Sequence, residues 1–558
     1  MKKLLSVLLA ALMVLGALTA CTPTAPAPST EAPATDAPAP AETEAPVELK
    51  DLPTLDYLYN TSSGHQVIAE ALQGIWKDEL GLDITVESQE WAVFQTNRTE
   101  GNFQIARHGW LGDYVDPMTF LDMWISSSGQ NDAKYKSPEY DALIATALKS
   151  ADPAERMAAM HEAEKIIMTD LPIIPLYHYT NVWLDNGKVK DYVHDILIGH
   201  MLFMWASKAE GDIVYHLGAT PKSLDPQKNN ATDGADVIQH TFEGLTTKDK
   251  NGVIVPGMAE SWTTSEDGLT WTFKLRDAKW SDGKPVTAQD FVTGWSRAVD
   301  PLTECEYAYQ IYNYVKNAQA IYEGNATPDT LGVKAVDDKT LEVTLEAPCG
   351  YFTQLTAFPT YYPVRADVVK NEAWANKPAT YISNGPYVLT KFELQNEIVI
   401  EKNPNYWNAA SMPCPKVIMK LTDDDAAALA AFESGEMDIA ETFPPEETQR
   451  MKDAGFFNVK PILGTYFIVI NLEGDSDFLK DPKVRLALAL AVDRDYIIEV
   501  AQNEAVPAFE FVPAGVPDAD GTDFISKNGG PLFGTGDYAT DLATAKQLLK
   551  EAGYNVKE

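Results

Sequence analysis

Positive charge is scarce in this chain of 558 residues: 44 Lys and Arg stand against 81 Asp and Glu, a formal net charge of −37. So acidic a surface repels phosphate backbones and anionic headgroups, which excludes nucleic acid as a partner. Cysteine is nearly absent as well. Beyond Cys21 there are Cys305, Cys349 and Cys414, which form at most one disulfide and leave at least one thiol, with the pair open. Catalytic signatures are missing: there is no His-Glu-x-x-His, no Gly-x-Ser-x-Gly and no P-loop. All eight histidines fall between His65 and His240, and His194 and His200 lack helical metal-ligand spacing. Gly534-Thr535-Gly536 is too short to cradle a phosphate and reads as loop. The expectation is a non-enzyme with no cofactor and no metal.

What is present is an ordinary folded composition, 45% apolar and 22% charged, on a chain long enough for two or three lobes. The N-terminus reads as an export signal. Met1-Lys2-Lys3 is basic, residues 4–17 are apolar but too short for a mature membrane span, and Leu18-Thr19-Ala20-Cys21 resembles a bacterial lipobox. On that reading cleavage leaves Cys21 first and lipidated; a plain Ala-x-Ala-type cut with Cys21 incidental is the alternative. Residues 22–48 are Pro, Ala, Thr and Glu with almost no large apolar side chain, a semi-extended tether. At roughly 3 Å per residue it would lift a domain several tens of ångströms from a membrane.

From Leu55 the pattern becomes regular: strand at 55–59, helix at 66–80 closed by Gly81, strand at 83–87, helix at 91–99, strand at 103–107. Such β-α-β-α-β units wind into a parallel sheet and bind ligands beyond the carboxyl ends of the strands. Arg107-His108-Gly109-Trp110-Leu111-Gly112-Asp113 falls at such an end: a cation, an aromatic plate, two glycines and a carboxylate. Asp116-Pro117 opens the next helix, so Asp113 is not needed as its cap. A helix from about 153 and a strand at 173–179 follow, and beyond Asp212 the texture becomes β-rich. Near the C-terminus, 540–552 reads as a helix stopped by Gly553, and the strand expected beside it is missing.

Ala259-Glu260-Ser261-Trp262, residues 271–276 and Ala278-Lys279-Trp280-Ser281-Asp282-Gly283-Lys284-Pro285-Val286-Thr287-Ala288-Gln289-Asp290-Phe291-Val292 closely resemble the signature block of the oligopeptide-binding proteins of ABC importers, extracellular solute-binding family 5. Ser223-Leu224-Asp225-Pro226, Phe242-Glu243-Gly244-Leu245, Asn384-Gly385-Pro386-Tyr387, Val484-Arg485-Leu486-Ala487-Leu488-Ala489 and Asp493-Arg494-Asp495 fit the same family. The order differs: such proteins begin with the part like 212–558 and end with the part like 52–208, so the chain looks circularly permuted, and no block repeats. If so, Lys50 and Glu558 lie close together and the helix at 541–552 packs with the sheet holding 55–59.

The resemblance implies an α/β, three-lobed periplasmic-binding-protein-like (type II) hinged clamp: 49–180 with 464–558, then 181–242 with 368–463, then 243–367 inserted in the second. Crossings near Tyr179 and Leu463 form the hinge. It implies an oligopeptide ligand, ABC permease subunits as partners, and a monomeric protein held to the outer face of the membrane through Cys21. Asp113 then takes the peptide ammonium and Arg107 its carboxylate, since buried charge needs a partner. Gly109 offers main-chain groups, Trp110 walls a side-chain pocket, Tyr307 contacts ligand from the inserted lobe, Tyr179 stands near a hinge crossing, and Thr232, in the loop after 223–226, presents main-chain groups. Thr442-Phe443 stands where relatives carry polar residues. Three alternatives stay open: an Arg107–Asp113 salt bridge that is only structural, the same fold binding nickel or an oligosaccharide, and a peptide or pheromone receptor that does not transport.

Overall fold

A computed structural model describes residues 49–197 and 199–558; the signal segment, Cys21 and the tether lie outside the described residues. Its first elements follow the apolar spacing. β1 (Leu55–Asn60) buries Leu55, Tyr57, Leu58 and Tyr59 while Asp56 points to solvent. α1 (Ser63–Leu80) buries Ile68, Leu72, Ile75 and Trp76 on one face and ends at Gly81, whose φ of 81° admits the left-handed turn. The Trp76 ring is fully buried and its indole donates to Leu488 O at 3.2 Å; burying a side chain of that size contributes about 4–6 kcal/mol. β2 (Ile84–Gln89) pairs parallel with β1, α2 (Trp91–Glu100) is capped by the Glu90 carboxylate, and β3 (Ile105–Leu111) pairs parallel with β1 on its other side.

The parallel unit forms three strands at one end of a mixed, eleven-stranded sheet that falls into two halves. Two long antiparallel strands run through both halves: β4 (Ile173–Asp185) and a return strand, Phe457–Ile470. One half uses residues 173–178 of β4 against 465–469, next to β3; the other uses 180–184 against 457–461, and through Ile439–Ala440 reaches Ile213–His216, Lys416–Lys420, Glu397–Lys402 and Tyr387–Glu393. Between the halves the ladder breaks: Pro461 pairs with Thr180 and Thr465 with His178, so three residues on one strand face one on the other. In the gap, Leu463 donates to Ile196 O at 3.0 Å and accepts from the Gly112 amide at 2.7 Å.

A separate antiparallel sheet, built by Ala259–Thr264, Thr270–Leu275, Thr340–Thr344 and Val333–Asp337, packs Phe273 against Phe352 and, through it, Trp295 and Tyr361. The helix Ala288–Ala298 beside it starts with the reciprocal Thr287–Asp290 capping box. Cys305, Cys349 and Cys414 are buried free thiols.

The end of the chain lies beside Lys50. The Lys50 amide donates to Gly553 O at 2.8 Å, and the Asn555 amide donates to Lys50 O at 2.7 Å. The terminal helix Tyr538–Glu551 packs on Pro482–Leu490 and links to α1 through Lys546–Glu79 at 3.5 Å. No helix among the described residues is long and apolar enough to cross a membrane.

Candidate functional site

β3 runs past Arg107, where the sequence suggests its end, because the return strand pairs with it from Ile470↔Ile105 to Gly464↔Leu111. Arg107, Gly109 and Leu111 therefore share one strand face, half-exposed, while His108 and Trp110 are buried on the other. The half-exposed face borders a cavity of about 410 Å³ lying against the break in the ladder, within the ~300–1,000 Å³ range of small-molecule sites. Arg107, Gly109, Trp110, Asp113, Tyr179, Thr232 and Tyr307 all line it.

Arg107 and Asp113 do not pair with each other, so the structural salt bridge is set aside. The Arg107 guanidinium donates through Nη2 to His65 Nε2 at 2.7 Å and sits 5.6–5.7 Å from the ring centroids of Trp91, Phe94 and Tyr466. Burial, reinforced by the Arg107 charge, pushes His65 well below its usual pKa and keeps it neutral. Because Arg can only donate, Nε2 is the acceptor and Nδ1 carries the proton, directed at the Tyr466 hydroxyl 3.3 Å away. No carboxylate among the described residues lies within ion-pair distance of Arg107, and its Nε has no partner.

Asp113 is held from two sides. Its amide donates to Thr119 Oγ1 at 2.9 Å; Gln310 Nε2 donates to Oδ2 at 2.9 Å and the Tyr307 hydroxyl to Oδ1 at 3.4 Å. Burial pushes its pKa up to about 8, with the Tyr307 and Gln310 hydrogen bonds acting in the opposite direction. At neutral pH the unliganded carboxyl therefore keeps its proton. A cation arriving in the cavity would make the ionised form the favoured one.

Trp110, in the cavity lining, is 5% exposed, donates from its indole to Thr119 O at 2.7 Å and stacks on Tyr307. Thr232 is not in a loop; it opens the helix Thr232–Thr241 at the cavity wall, whose N-cap, Ala231, offers no side-chain bond and whose first turn carries Asp233. Gly109 is needed for a steric reason: a Cβ there would collide with the Tyr179 hydroxyl.

Sequence reasoning missed His65, Gln310 and the His200–Glu441 pair. His65 follows β1 by five residues, in the first turn of α1, a strand-to-helix junction that could have marked it. His200 Nδ1 lies 2.6 Å from Glu441 Oε2; although burial works against it, the Glu441 charge pushes the imidazole up to about 9 and keeps it cationic. Below the cavity, Arg98 Nε bonds Asp132 Oδ2 at 2.6 Å, with His108 Nε2 at 3.3 Å. A wider hollow of about 670 Å³ near the amino end of β3, rimmed by Asp56, Glu87, Glu100, Glu473 and Asp475, contains none of these groups. No cluster of three or more His, Cys, Asp or Glu side chains fit for a metal occurs among the described residues.

Comparison with known proteins agrees with this architecture. The family described as bacterial extracellular solute-binding proteins, family 5 Middle, matches residues 24–132 and 253–558. The oligopeptide-binding protein OppA of Bacillus subtilis is 38% identical over 355 residues, 62% of this chain and 64% of that protein; the murein peptide-binding protein MppA of Escherichia coli is 39% identical over 349, 62% and 63%. The chain thus spans just under two-thirds of the length of these relatives. Among solved structures, OppA of Burkholderia pseudomallei gives a TM-score of 0.54 at 34% identity, covering 62% of this chain and 68% of that one. OppA of Haemophilus influenzae, in complex with RPPGFSPFR, gives 0.52 at 31%, with the same coverage. These are type II clamp folds, and this chain belongs to the family 5 bacterial extracellular solute-binding proteins.

Proposed function

We propose that the protein captures short peptides in the cavity between the two halves of its sheet, Asp113 taking the ligand's ammonium and Arg107 its carboxylate, and hands them to an ABC permease while anchored through Cys21. The observation that carries this is a half-exposed guanidinium and a half-exposed carboxyl lining one cavity, neither with an ionic partner of its own. A zwitterion satisfies both at once, its ammonium drawing the proton off Asp113, whereas a sugar would leave the Arg107 charge without a counter-charge. The OppA relatives are named for oligopeptides and MppA for murein peptides, which fits this chemistry. Gly109 and the start of the helix Thr232–Thr241 supply main-chain groups for a ligand read as an added strand. Residues 461–465 and Tyr179–Thr180 are the hinge, with 49–180 and 464–558 closing against 181–242 and 368–463 and with 243–367 as the inserted lobe.

Calorimetry with free and N-acetylated tripeptides tests the reading. The free peptide should bind and the acetylated one should lose at least tenfold. Because unliganded Asp113 titrates near 8, binding at pH 7 should release close to one proton, read as an enthalpy that changes with the buffer. Affinity should fall about tenfold per unit as pH drops below 7. Equal affinity for both peptides, or no proton release, would overturn the ammonium role.

We further propose that the chain is a circular permutant. The order of its motifs and the pairing of Lys50 with 553–555 support this. A chain rejoined as 212–558 followed by 49–208 should fold and bind the same peptides; if it folds but binds none, the reading fails.

A further inference from the structure

No cation pairs with Asp113 among the described residues, the Lys248 charge reaching it only from a distance, yet it is not left alone. Both of its oxygens are met by side chains from the segment 307–310, nearly two hundred residues away in sequence. Gln310 is the nearer donor. It belongs to the short helix Tyr309–Tyr312 and is fully buried; its backbone is fixed by its own amide to Tyr307 O at 3.0 Å and by the Tyr361 hydroxyl bonding its carbonyl. The amide nitrogen is spent on Asp113 Oδ2, which ties the carboxylate to this distant segment.

The choice of side chain is informative. Arg or Lys at this place would neutralise Asp113 and remove its attraction for a cation. An apolar residue would leave the carboxylate undirected and harder to ionise. A carboxamide does neither: it is neutral and it donates to the carboxylate. We propose that Gln310 is the positioning residue of the cation subsite, fixing the Asp113 carboxylate through Nε2 so that it meets the ligand ammonium. The subsite is therefore assembled from two distant segments, and it is complete only when 307–310 is docked against Asp113. The groups facing Asp113 agree with this. Asp122 lies nearby, its own pKa raised well above normal by burial and by Asp113, and it brings no counter-charge; Tyr307 adds only a hydroxyl, and the Lys248 charge acts from farther off.

This inference rests on the peptide reading of Asp113 for its ligand, but not for its titration, which keeps the two separable. Gln310→Met preserves volume and removes both amide atoms. It should weaken a free-amino tripeptide by about tenfold or more in calorimetry, leave the acetylated peptide unaffected, and move the unliganded Asp113 midpoint upward in carboxyl-carbon NMR. Should the Met variant not fold, Gln310→Asn, whose amide is drawn back out of reach, carries the same expectations. Wild-type affinity for both peptides with an unmoved midpoint would overturn the proposal, whatever happens to the melting temperature. If the wild-type protein itself fails to bind free peptides, the peptide reading falls and the NMR midpoint alone decides whether Gln310 governs Asp113.

Discussion

Asp113→Asn is expected to weaken a free-amino peptide by about a hundredfold or more while leaving the melting temperature of the unliganded protein unchanged or raised. The first half follows from pairing: removing one member of a buried, hydrogen-bonded charge pair costs about 2–5 kcal/mol, much of it because the other charge stays buried without a partner. The second half follows from the unliganded state. Asp113 holds its proton up to about pH 8 because of burial, against an ordinary value of 3.8. A folded-state value above the unfolded one means that the unfolded chain surrenders the proton first, so this group's stabilisation is full below about pH 4 and is lost as pH rises toward 8. Asn copies the protonated shape and has nothing to titrate. Thermal melts across pH 4–8 should therefore be flatter for the variant, with its advantage largest at the alkaline end. A large loss of stability with peptide binding intact would identify Asp113 as a structural group.

The contrast between what the sequence discloses and what it hides has a physical pattern. β1 and α1 are legible because each buries one face against the core, and alternation or a 3.6-residue stripe records that burial directly. Arg107 and Asp113 are legible through the Gly-Trp-x-x-Asp motif and the chemistry a cleft requires. The course of β3 is not, since the apolar run stops before Arg107; Gly109 is a strand position over which the Tyr179 ring lies, a demand made by a strand more than sixty residues later. Thr232, expected in the loop after 223–226, instead opens a helix whose first turn carries Asp233. Gln310 carries no local signal at all. Its role appears only when two segments with no shared periodicity are packed together, which is also why buried ion pairs escape sequence inspection.

One of those pairs provides the counterpart to Asp113. Asp132→Asn should destabilise the protein by about 3–5 kcal/mol, read from the denaturant midpoint, because it leaves the Arg98 guanidinium buried without its carboxylate. Asp132 is 2% exposed, bonded by Arg98 Nε at 2.6 Å and approached by His108, itself held down to about 4 by burial and by the Arg98 charge. Burial pushes the Asp132 carboxyl up, but Arg98 and His108 outweigh it and its pKa is lowered. A lowered folded-state value reverses the sign found for Asp113: the contribution is whole at neutral pH and fades as acid titrates the group. The two aspartates stand beside one cavity, Asp132 with its cation supplied by the fold and Asp113 without one. The double variant Arg98→Met/Asp132→Leu should therefore recover much of the stability lost in Asp132→Asn, since well-packed apolar side chains replace a buried pair at little cost. No apolar replacement at Asp113 should recover peptide binding, because its missing partner is the ligand. If the double variant is no more stable than the single one, Arg98 and Asp132 do more than satisfy each other, and the line drawn here between a structural and a ligand-binding carboxylate would have to move.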